Sequence, residues 1–193
     1  MTATVTRDYA GGLEIIRSEA GAAPVLAGIA VPYGQWAEVD NPLEGRFLES
    51  IAPGAFARSI ASRGPKIRAL LEHGKDPTVG NRPLGPLTLE DTPDGLAYRI
   101  EALDVPYVRD LLPAVRAGLY GTSIRFRPTQ VDRGRAGGLE RRRVTEGELQ
   151  ELSLAAFAVY SGTTAGVRSE PGEGVTVAEL DALLEALNAY LAQ

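Results

Sequence analysis

The sequence contains no cysteine and a single histidine, His73, among its 193 residues. Without cysteine there is no disulfide, no thiolate nucleophile and no cysteine-based zinc site. A single imidazole also excludes a histidine-rich metal site. The sequence therefore predicts neither a metal ion nor another cofactor, and any imidazole chemistry near neutral pH depends on His73.

Positive charge and long apolar runs are also scarce. The chain has 20 basic and 25 acidic residues, a net charge of −5, so it lacks the positive field that binds nucleic acid or an anionic membrane. The longest apolar run, Leu152 to Tyr160, is about half a membrane span. The N-terminus has no basic region followed by an apolar core. We expect a soluble, intracellular protein with no nucleic-acid or membrane partner.

Aromatic residues make up 6% of the chain, with one tryptophan. Glycosidases built on paired carboxylates usually carry aromatic sugar platforms, so this composition disfavours such a site on the glutamates between 146 and 151. Hydrophobic residues at 44% and charged residues at 23% are ordinary for a folded domain. The length is sufficient for one domain with a buried core.

The first half of the chain alternates strand patterns with a short helix. Residues 1–24 predict an arm or edge strand, 25–34 a strand, and 53–63 a helix that begins near Pro53 and ends before Gly64. The pattern then predicts a strand over IRALLEH. A hairpin follows over 87–101, where Pro93 presets the turn and Gly95 supplies a positive φ.

The second half predicts a helix from Pro106 to Gly118, with a kink or late start at Pro113. Three strands follow, from Tyr120, over Leu139 to Val144, and over ELQELSLAAFAVY; a glycine-rich loop, Asp132 to Gly138, separates the first two. Thr176 and Glu179 form a capping box that starts a final amphipathic helix. Its leucine stripe must cover the domain's own sheet or a second copy of the chain, as in a homodimer.

Alternation along the strand from Tyr120 places Ser123 on one face with Arg125 and Arg127. The other face carries Tyr120, Thr122, Ile124 and Phe126, which suit a core. A serine beside two cations, on a face that buries nothing large, fits an exposed nucleophile whose surroundings stabilise negative charge. The same pattern also fits a solvated polar face of a sheet.

A serine nucleophile needs a base, and His73 is the only imidazole available. The base needs a carboxylate that orients it. Leu152 and Leu154 face the core, so a regular strand turns Glu146 and Glu148 inward and Glu151 to the opposite face. Parity therefore favours Glu151 unless a bulge shifts the register. Backbone N–H groups near Ala156 to Ser161 are candidates for an oxyanion hole.

Five elements, in this order and spacing, resemble the HK97-type phage prohead proteases, which are similar to the herpesvirus assemblins. They are GIAVPYG (Gly28–Gly34), IAPGAF (Ile51–Phe56), ALLEHG (Ala69–Gly74), GLYGTSIRF (Gly118–Phe126) and LQELSLAAFAVY (Leu149–Tyr160). The resemblance covers residues 25–165. It divides the chain into an N-terminal arm (1–24), a protease domain (25–165) and a C-terminal linker with an amphipathic helix (166–193).

The resemblance implies an α+β, mostly β fold: a compact β-barrel surrounded by a few helices. It implies a serine endopeptidase with His73 as general base, Ser123 as nucleophile and Glu151 as the third catalytic member. The expected substrates are scaffolding protein, the scaffolding domain of the major capsid protein, and the enzyme itself. The expected location is the immature virus head in the host cytoplasm. The family often has another polar residue at the position of Glu72, which strand alternation points away from the site.

A second interpretation is a non-catalytic head-assembly module on the same barrel. In that case Arg141, Arg142 and Arg143 contact acidic partner surfaces, whereas the plainer interpretation of this run is a solvated edge strand. The position of His73 relative to Ser123 distinguishes the module from the protease, because a binding module has no reason to bring the two together.

Overall fold

The computed structural model of the protein describes residues 4–9, 13–16, 24–42, 44–74 and 81–156. Within these ranges the fold is mostly β, with two short α-helices. The strands are β1 (Val5–Tyr9), β2 (Leu13–Ile16), β3 (Val25–Pro32), β4 (Ala37–Asn41), β5 (Gly45–Ile51), β6 (Arg68–Leu71), β7 (Pro83–Gly85), β8 (Leu87–Asp91), β9 (Gly95–Glu101), β10 (Tyr120–Ala136) and β11 (Leu139–Ala156); the helices are α1 (Ala57–Arg63) and α2 (Pro106–Arg116). In the described part of the chain, neither helix is long and apolar enough to cross a membrane.

The strands form two sheets. The larger has the order β1-β10-β11-β5-β4, and β6 joins β11 with β7 beside it. The smaller has the order β2-β3-β9-β8. Side chains from both sheets and from α2 share one apolar core, which includes Leu26, Tyr98, Leu112, Phe126 and Leu152. The predicted mostly-β fold is confirmed; the pairings described here leave open sheet edges, so the closed barrel stays a prediction.

The hairpin of β8 and β9 forms where predicted. Leu96, Tyr98 and Ile100 alternate along β9 and are at most 1% exposed. The role predicted for Gly95 is wrong, because its φ is not positive. A Cβ at Gly95 would lie 2.5 Å from the carbonyl oxygen of Val31. Glycine is therefore required there for close approach of β3 rather than for the turn.

The first two of the three predicted helices form, but α1 starts later than predicted and α2 continues through its interior proline. Helix α1 starts at Ala57, later than the predicted start near Pro53, because residues 53–56 form a turn. Helix α2 starts at Pro106 and continues through Pro113, so a late start there is wrong. An interior proline costs about 3 kcal/mol. Four buried side chains hold this helix on the core: Val108, Leu111, Leu112 and Val115.

The predicted loop over Asp132 to Gly138 is wrong, because β10 continues to Ala136. The chain reverses only at Gly137 and Gly138, whose φ values of 59° and 83° suit a two-residue hairpin turn. The two strands predicted after this turn form the single strand β11, which pairs antiparallel with β10 along its length. This long hairpin carries two of the three predicted catalytic residues.

The arginine run does not lie on a sheet edge. Residues 140–144 of β11 pair with β10 on one side and, in parallel, with β5 on the other. The guanidinium of Arg142 stacks on the ring of Phe47 at 3.7 Å, and that of Arg141 stacks on Trp36 at the same distance. The predicted solvated edge strand is wrong, because a strand nearly a hundred residues earlier covers that side.

The predictions for the two ends of the chain have different outcomes. In the described residues, β1 and β2 lie at the ends of the two sheet orders, in agreement with the edge strand predicted for this segment. The C-terminal helix predicted from Thr176, its leucine stripe and the associated dimer lie outside the described residues. The domain boundaries at 24/25 and 165/166 stay predictions.

Candidate active site

His73 lies in a tight turn directly after β6. Glu72, His73 and Gly74 have φ values of 49°, 56° and 65°, so three consecutive residues adopt the left-handed conformation. For a non-glycine residue this conformation costs on the order of 1–3 kcal/mol. The turn stops the side-chain alternation of β6 and leaves the imidazole 9% exposed against β11. Its position is set by backbone geometry that the sequence pattern does not reveal.

Glu151 is the partner of His73. Its Oε1 atom is hydrogen-bonded to Nδ1 of the imidazole, and it also accepts a hydrogen bond of 3.0 Å from the hydroxyl of Ser153. Its Oε2 atom forms an ion pair of 3.3 Å with Nη1 of Arg125. The carboxylate is therefore held on three sides. Because an ionised carboxylate can only accept a hydrogen bond, Nδ1 carries the proton of the neutral imidazole and Nε2 is its basic nitrogen.

Burial and three neighbouring side chains set the ionisation of Glu151. Burial alone raises the pKa of the carboxyl, but the hydrogen bond from His73, the positive charge of Arg125 and the Ser153 hydroxyl together outweigh burial. The pKa of Glu151 therefore lies below its ordinary value, and the side chain is ionised at neutral pH. An ionised carboxylate at this position stabilises a protonated imidazole.

Strand parity predicts the observed face of Glu151 but fails for the residues before it. Leu152 and Leu154 are fully buried, and Glu151 faces the opposite side, toward His73. A bulge at Gln150 then shifts the register: Glu151 pairs with Arg125, whereas Leu149 pairs with Phe126. Leu149 is consequently buried in the core. The inward orientation expected of Glu146 and Glu148 is wrong, since both are partly exposed and form ion pairs, Glu146 with Arg58 of α1 and Glu148 with Arg127.

Ser123 lies on β10 directly opposite Ser153 of β11. It is fully buried, so the predicted exposed position is wrong. The cause is β1, which pairs with the outer edge of β10 and places Asp8 opposite Ser123. The Ser123 hydroxyl donates a hydrogen bond of 3.2 Å to the carbonyl oxygen of Arg7. This contact is not predictable from the sequence, because nothing in residues 1–24 indicates which strand they join.

Glu72 contacts the end of β11. Its Oε1 atom accepts a hydrogen bond of 2.7 Å from the backbone N–H of Ala156. Glu72 belongs to the left-handed turn, so the strand alternation used to point it away from the site does not apply to it. Ala156 was the first of the predicted oxyanion donors, and its N–H is occupied by this carboxylate. Residues 157–161 lie outside the described residues, so an oxyanion donor among them stays a prediction.

Four neighbouring strands line up these groups in the order β1, β10, β11 and β6. The first three strands contribute, in that order, the carbonyl of Arg7, the hydroxyl of Ser123, and the pair Ser153 and Glu151. His73 lies in the turn that follows β6. The structure thus brings His73 and Glu151 into contact and places Ser123 one strand away, beside Ser153. The sequence pattern predicts Arg125 only as a cation beside Ser123 and assigns no role to Ser153, so the contacts of both residues with Glu151 were not predicted.

The sequence pattern of the caudovirus prohead serine proteases matches residues 13–176. The chain belongs to this family. It is also similar to the capsid assembly protease of bacteriophage T4, with a TM-score of 0.51 and 12% identity over 79% of this chain and 96% of the other. At this identity the likeness establishes the fold. No curated protein matches the chain. Family membership makes this a prohead serine protease, and the buried face around Glu151 is its candidate active site.

Proposed function

We propose that the protein is a serine endopeptidase of phage head maturation in which His73, Ser123 and Glu151 form the catalytic triad. Its substrates are scaffolding protein or the scaffolding domain of the major capsid protein, together with its own chain. It acts within the immature head in the host cell. The T4 protein of similar fold is a capsid assembly protease, which supports this assignment.

The observation that carries the proposal is the contact between the only histidine and Glu151 on the face that holds Ser123. The carboxylate fixes the imidazole so that Nε2 accepts a proton. During the reaction the Ser123 hydroxyl turns from the Arg7 carbonyl toward Nε2. Catalytic hydrogen bonds are often long or misdirected without substrate and tighten in the reacting complex.

In the acylation step Ser123 Oγ bonds to the substrate carbonyl carbon while its proton moves to Nε2 of His73. The imidazolium then gives that proton to the departing amine as the peptide C–N bond breaks. Water hydrolyses the resulting ester, with His73 again taking and returning a proton. Glu151 remains ionised throughout and stabilises the imidazolium.

The experiment compares serine variants. Purified wild type, Ser123→Ala and Ser153→Ala are each incubated with scaffolding protein from the same phage, and cleavage is followed by intact mass. We expect Ser123→Ala to lose on the order of 10³-fold or more in rate, because the nucleophile is removed. Ser62→Ala, an exposed position on α1, is the matched control and keeps full activity.

The two buried serines make the outcome decisive. If Ser153→Ala removes cleavage and Ser123→Ala retains it, the nucleophile is Ser153 and the proposed triad is wrong. If Ser123→Ala cleaves as fast as wild type and Ser153→Ala also remains active, neither serine attacks the peptide. Circular dichroism of each variant separates a chemical loss from unfolding.

The head-assembly module has less support from the described residues. Its proposed contacts were the arginines at 141–143, and two of these stack on Trp36 and Phe47. Arg142 also pairs with Glu44 and Glu140. The charges of Arg141 and Arg142 are therefore already engaged within the protein. A protein that binds scaffold without any serine-dependent cleavage would favour the module.

A further inference from the structure

Strand β1 occupies the edge of the strand that carries Ser123. It pairs antiparallel with β10, from Val5 opposite Phe126 to Tyr9 opposite Thr122. Extended peptides commonly bind a sheet edge in this way, with backbone hydrogen bonds for affinity and pockets for alternate side chains for specificity. Val5 and Arg7 alternate along β1, and both enter the protein: Val5 packs against the core and Arg7 is 5% exposed.

The pocket around the Arg7 side chain matches the geometry of a guanidinium group. Nε and Nη2 of Arg7 lie 2.6 and 3.0 Å from the two carboxylate oxygens of Glu49, a bidentate arrangement. Nη1 lies 3.1 Å from Glu44, and the guanidinium carbon lies 5.8 Å from the centre of the Phe47 ring. A planar fork of donors matches this carboxylate geometry, and a lysine ammonium matches it less well.

The position of this pocket relative to Ser123 is the decisive relationship. The carbonyl oxygen that accepts the hydrogen bond from the Ser123 hydroxyl belongs to Arg7 itself. The residue whose side chain fills the acidic pocket is thus the residue whose carbonyl meets the proposed nucleophile. In a protease this is the relationship between the residue before the scissile bond and its specificity pocket.

A purely structural role explains the arrangement less well. Burying an ion pair costs several kcal/mol per charge, and apolar side chains of similar volume often stabilise a fold as well or better. An edge strand of five residues needs no buried arginine for its attachment. A pocket that selects arginine in substrates also binds the arginine of β1.

We propose that the β10 edge from Thr122 to Phe126 binds the extended substrate segment, with Glu49 and Glu44 selecting arginine before the scissile bond. Strand β1 is the internal competitor that fills this site. The inference depends on the proposed function for its catalytic consequence, but docking can be measured without catalysis. A substrate segment must displace β1 before Ser123 can reach it.

The binding test uses full-length protein that carries Ser123→Ala, so that docking is measured whether or not Ser123 is the nucleophile. The probe is a fluorescent peptide ATVTRDY, the sequence of residues 3–9, and fluorescence anisotropy reports its binding. We expect Arg7→Ala in this background to strengthen peptide binding by roughly 10-fold or more, because a tethered competitor with a high effective concentration is weakened. Arg58→Ala, which removes an exposed arginine paired with Glu146, leaves binding unchanged.

Pocket specificity is tested with the peptide ATVTADY. On the Arg7→Ala/Ser123→Ala protein it should bind at least about 10-fold more weakly than ATVTRDY, since a buried bidentate ion pair is lost. Glu49→Gln added to that protein should remove most of this preference. Equal binding of the two peptides, or no binding of either, overturns the inference.

A cleavage assay separates this inference from the proposed function. Arg7→Ala with Ser123 intact should raise kcat/KM for an added arginine-containing peptide, while Arg58→Ala should not. Serine-dependent cleavage that shows no gain from Arg7→Ala and no arginine preference contradicts the inference alone. Docking with arginine preference but no serine-dependent cleavage contradicts the proposed function alone. If Arg7→Ala fails to fold, Arg7→Lys replaces it, because lysine keeps the positive charge but cannot form the bidentate pair with Glu49. Arg7→Lys should still strengthen peptide binding and raise kcat/KM relative to the protein with Arg7, by less than expected for Arg7→Ala.

Discussion

Nδ1 of His73 is hydrogen-bonded to Oε1 of Glu151, although 78 residues separate them along the chain. The contact exists because β6 pairs in parallel with β11, with Leu71 opposite Leu154, and the left-handed turn after β6 then directs the imidazole back over the sheet. A parallel pairing and a strained turn together fix the relative position of His73, the proposed base, and Glu151. The main catalytic prediction follows from this geometry.

Glu151→Gln should lower kcat for scaffold cleavage by about 10²- to 10⁴-fold with a smaller change in KM. An amide presents the wrong hydrogen-bonding group to Nδ1 and no longer stabilises the imidazolium. The matched control is Glu148→Gln on the same strand, which removes ion pairs with Arg63 and Arg127 and should keep most of the activity. Equal losses in the two variants would show that Glu151 acts only through the stability of β11.

Much of the site was predictable where local pattern decides it. Leu152 and Leu154 identify the core face of β11, and that assigns Glu151 to the other face. The bulge at Gln150 has no sequence signal, so the same parity misplaces Glu148 and Leu149. The burial of Ser123 depends on Arg7, 116 residues earlier, and the central position of the arginine run depends on β5. Long-range pairing, which single-sequence periodicity does not contain, accounts for these errors.

The stabilising effect of Glu151 should depend on pH. The pKa of the Glu151 carboxyl in the folded protein lies below its ordinary value. The unfolded chain therefore binds the proton more readily, so the contribution is fully present above the unfolded pKa and is lost as pH falls through the folded pKa. Urea unfolding of wild type and Glu151→Gln should therefore show a difference in unfolding free energy that shrinks as the pH falls below about 4. A difference independent of pH would contradict this ionisation.

Gly147 should tolerate no side chain. A Cβ there would lie 2.9 Å from Cε1 of Phe56 and 3.2 Å from Cδ2 of Phe126, two fully buried rings that pack edge to face at 5.4 Å. Gly147→Ala should therefore lower the free energy of unfolding by about 1–3 kcal/mol. Gly134→Ala is the control, because a Cβ at Gly134 meets no atom within 4 Å. Urea titration of both variants gives the comparison, and equal stability would show that the rings can separate without cost.

Ser59 links α1 to the bulged part of β11 just before Glu151. Its buried hydroxyl accepts a 2.8 Å hydrogen bond from the N–H of Leu149 and donates to the Leu149 carbonyl at 3.4 Å. Ser59→Ala leaves that N–H buried without its partner, which should cost about 1–3 kcal/mol in unfolding free energy. Ser62→Ala on the same helix removes a hydroxyl that bonds only within the helix, and should change stability by less than about 0.5 kcal/mol. The bulge sets the register of Leu149, so amide hydrogen exchange at Leu149 should also be faster in Ser59→Ala. Unchanged exchange at Leu149 would mean that the pairing with β10 alone fixes the bulge.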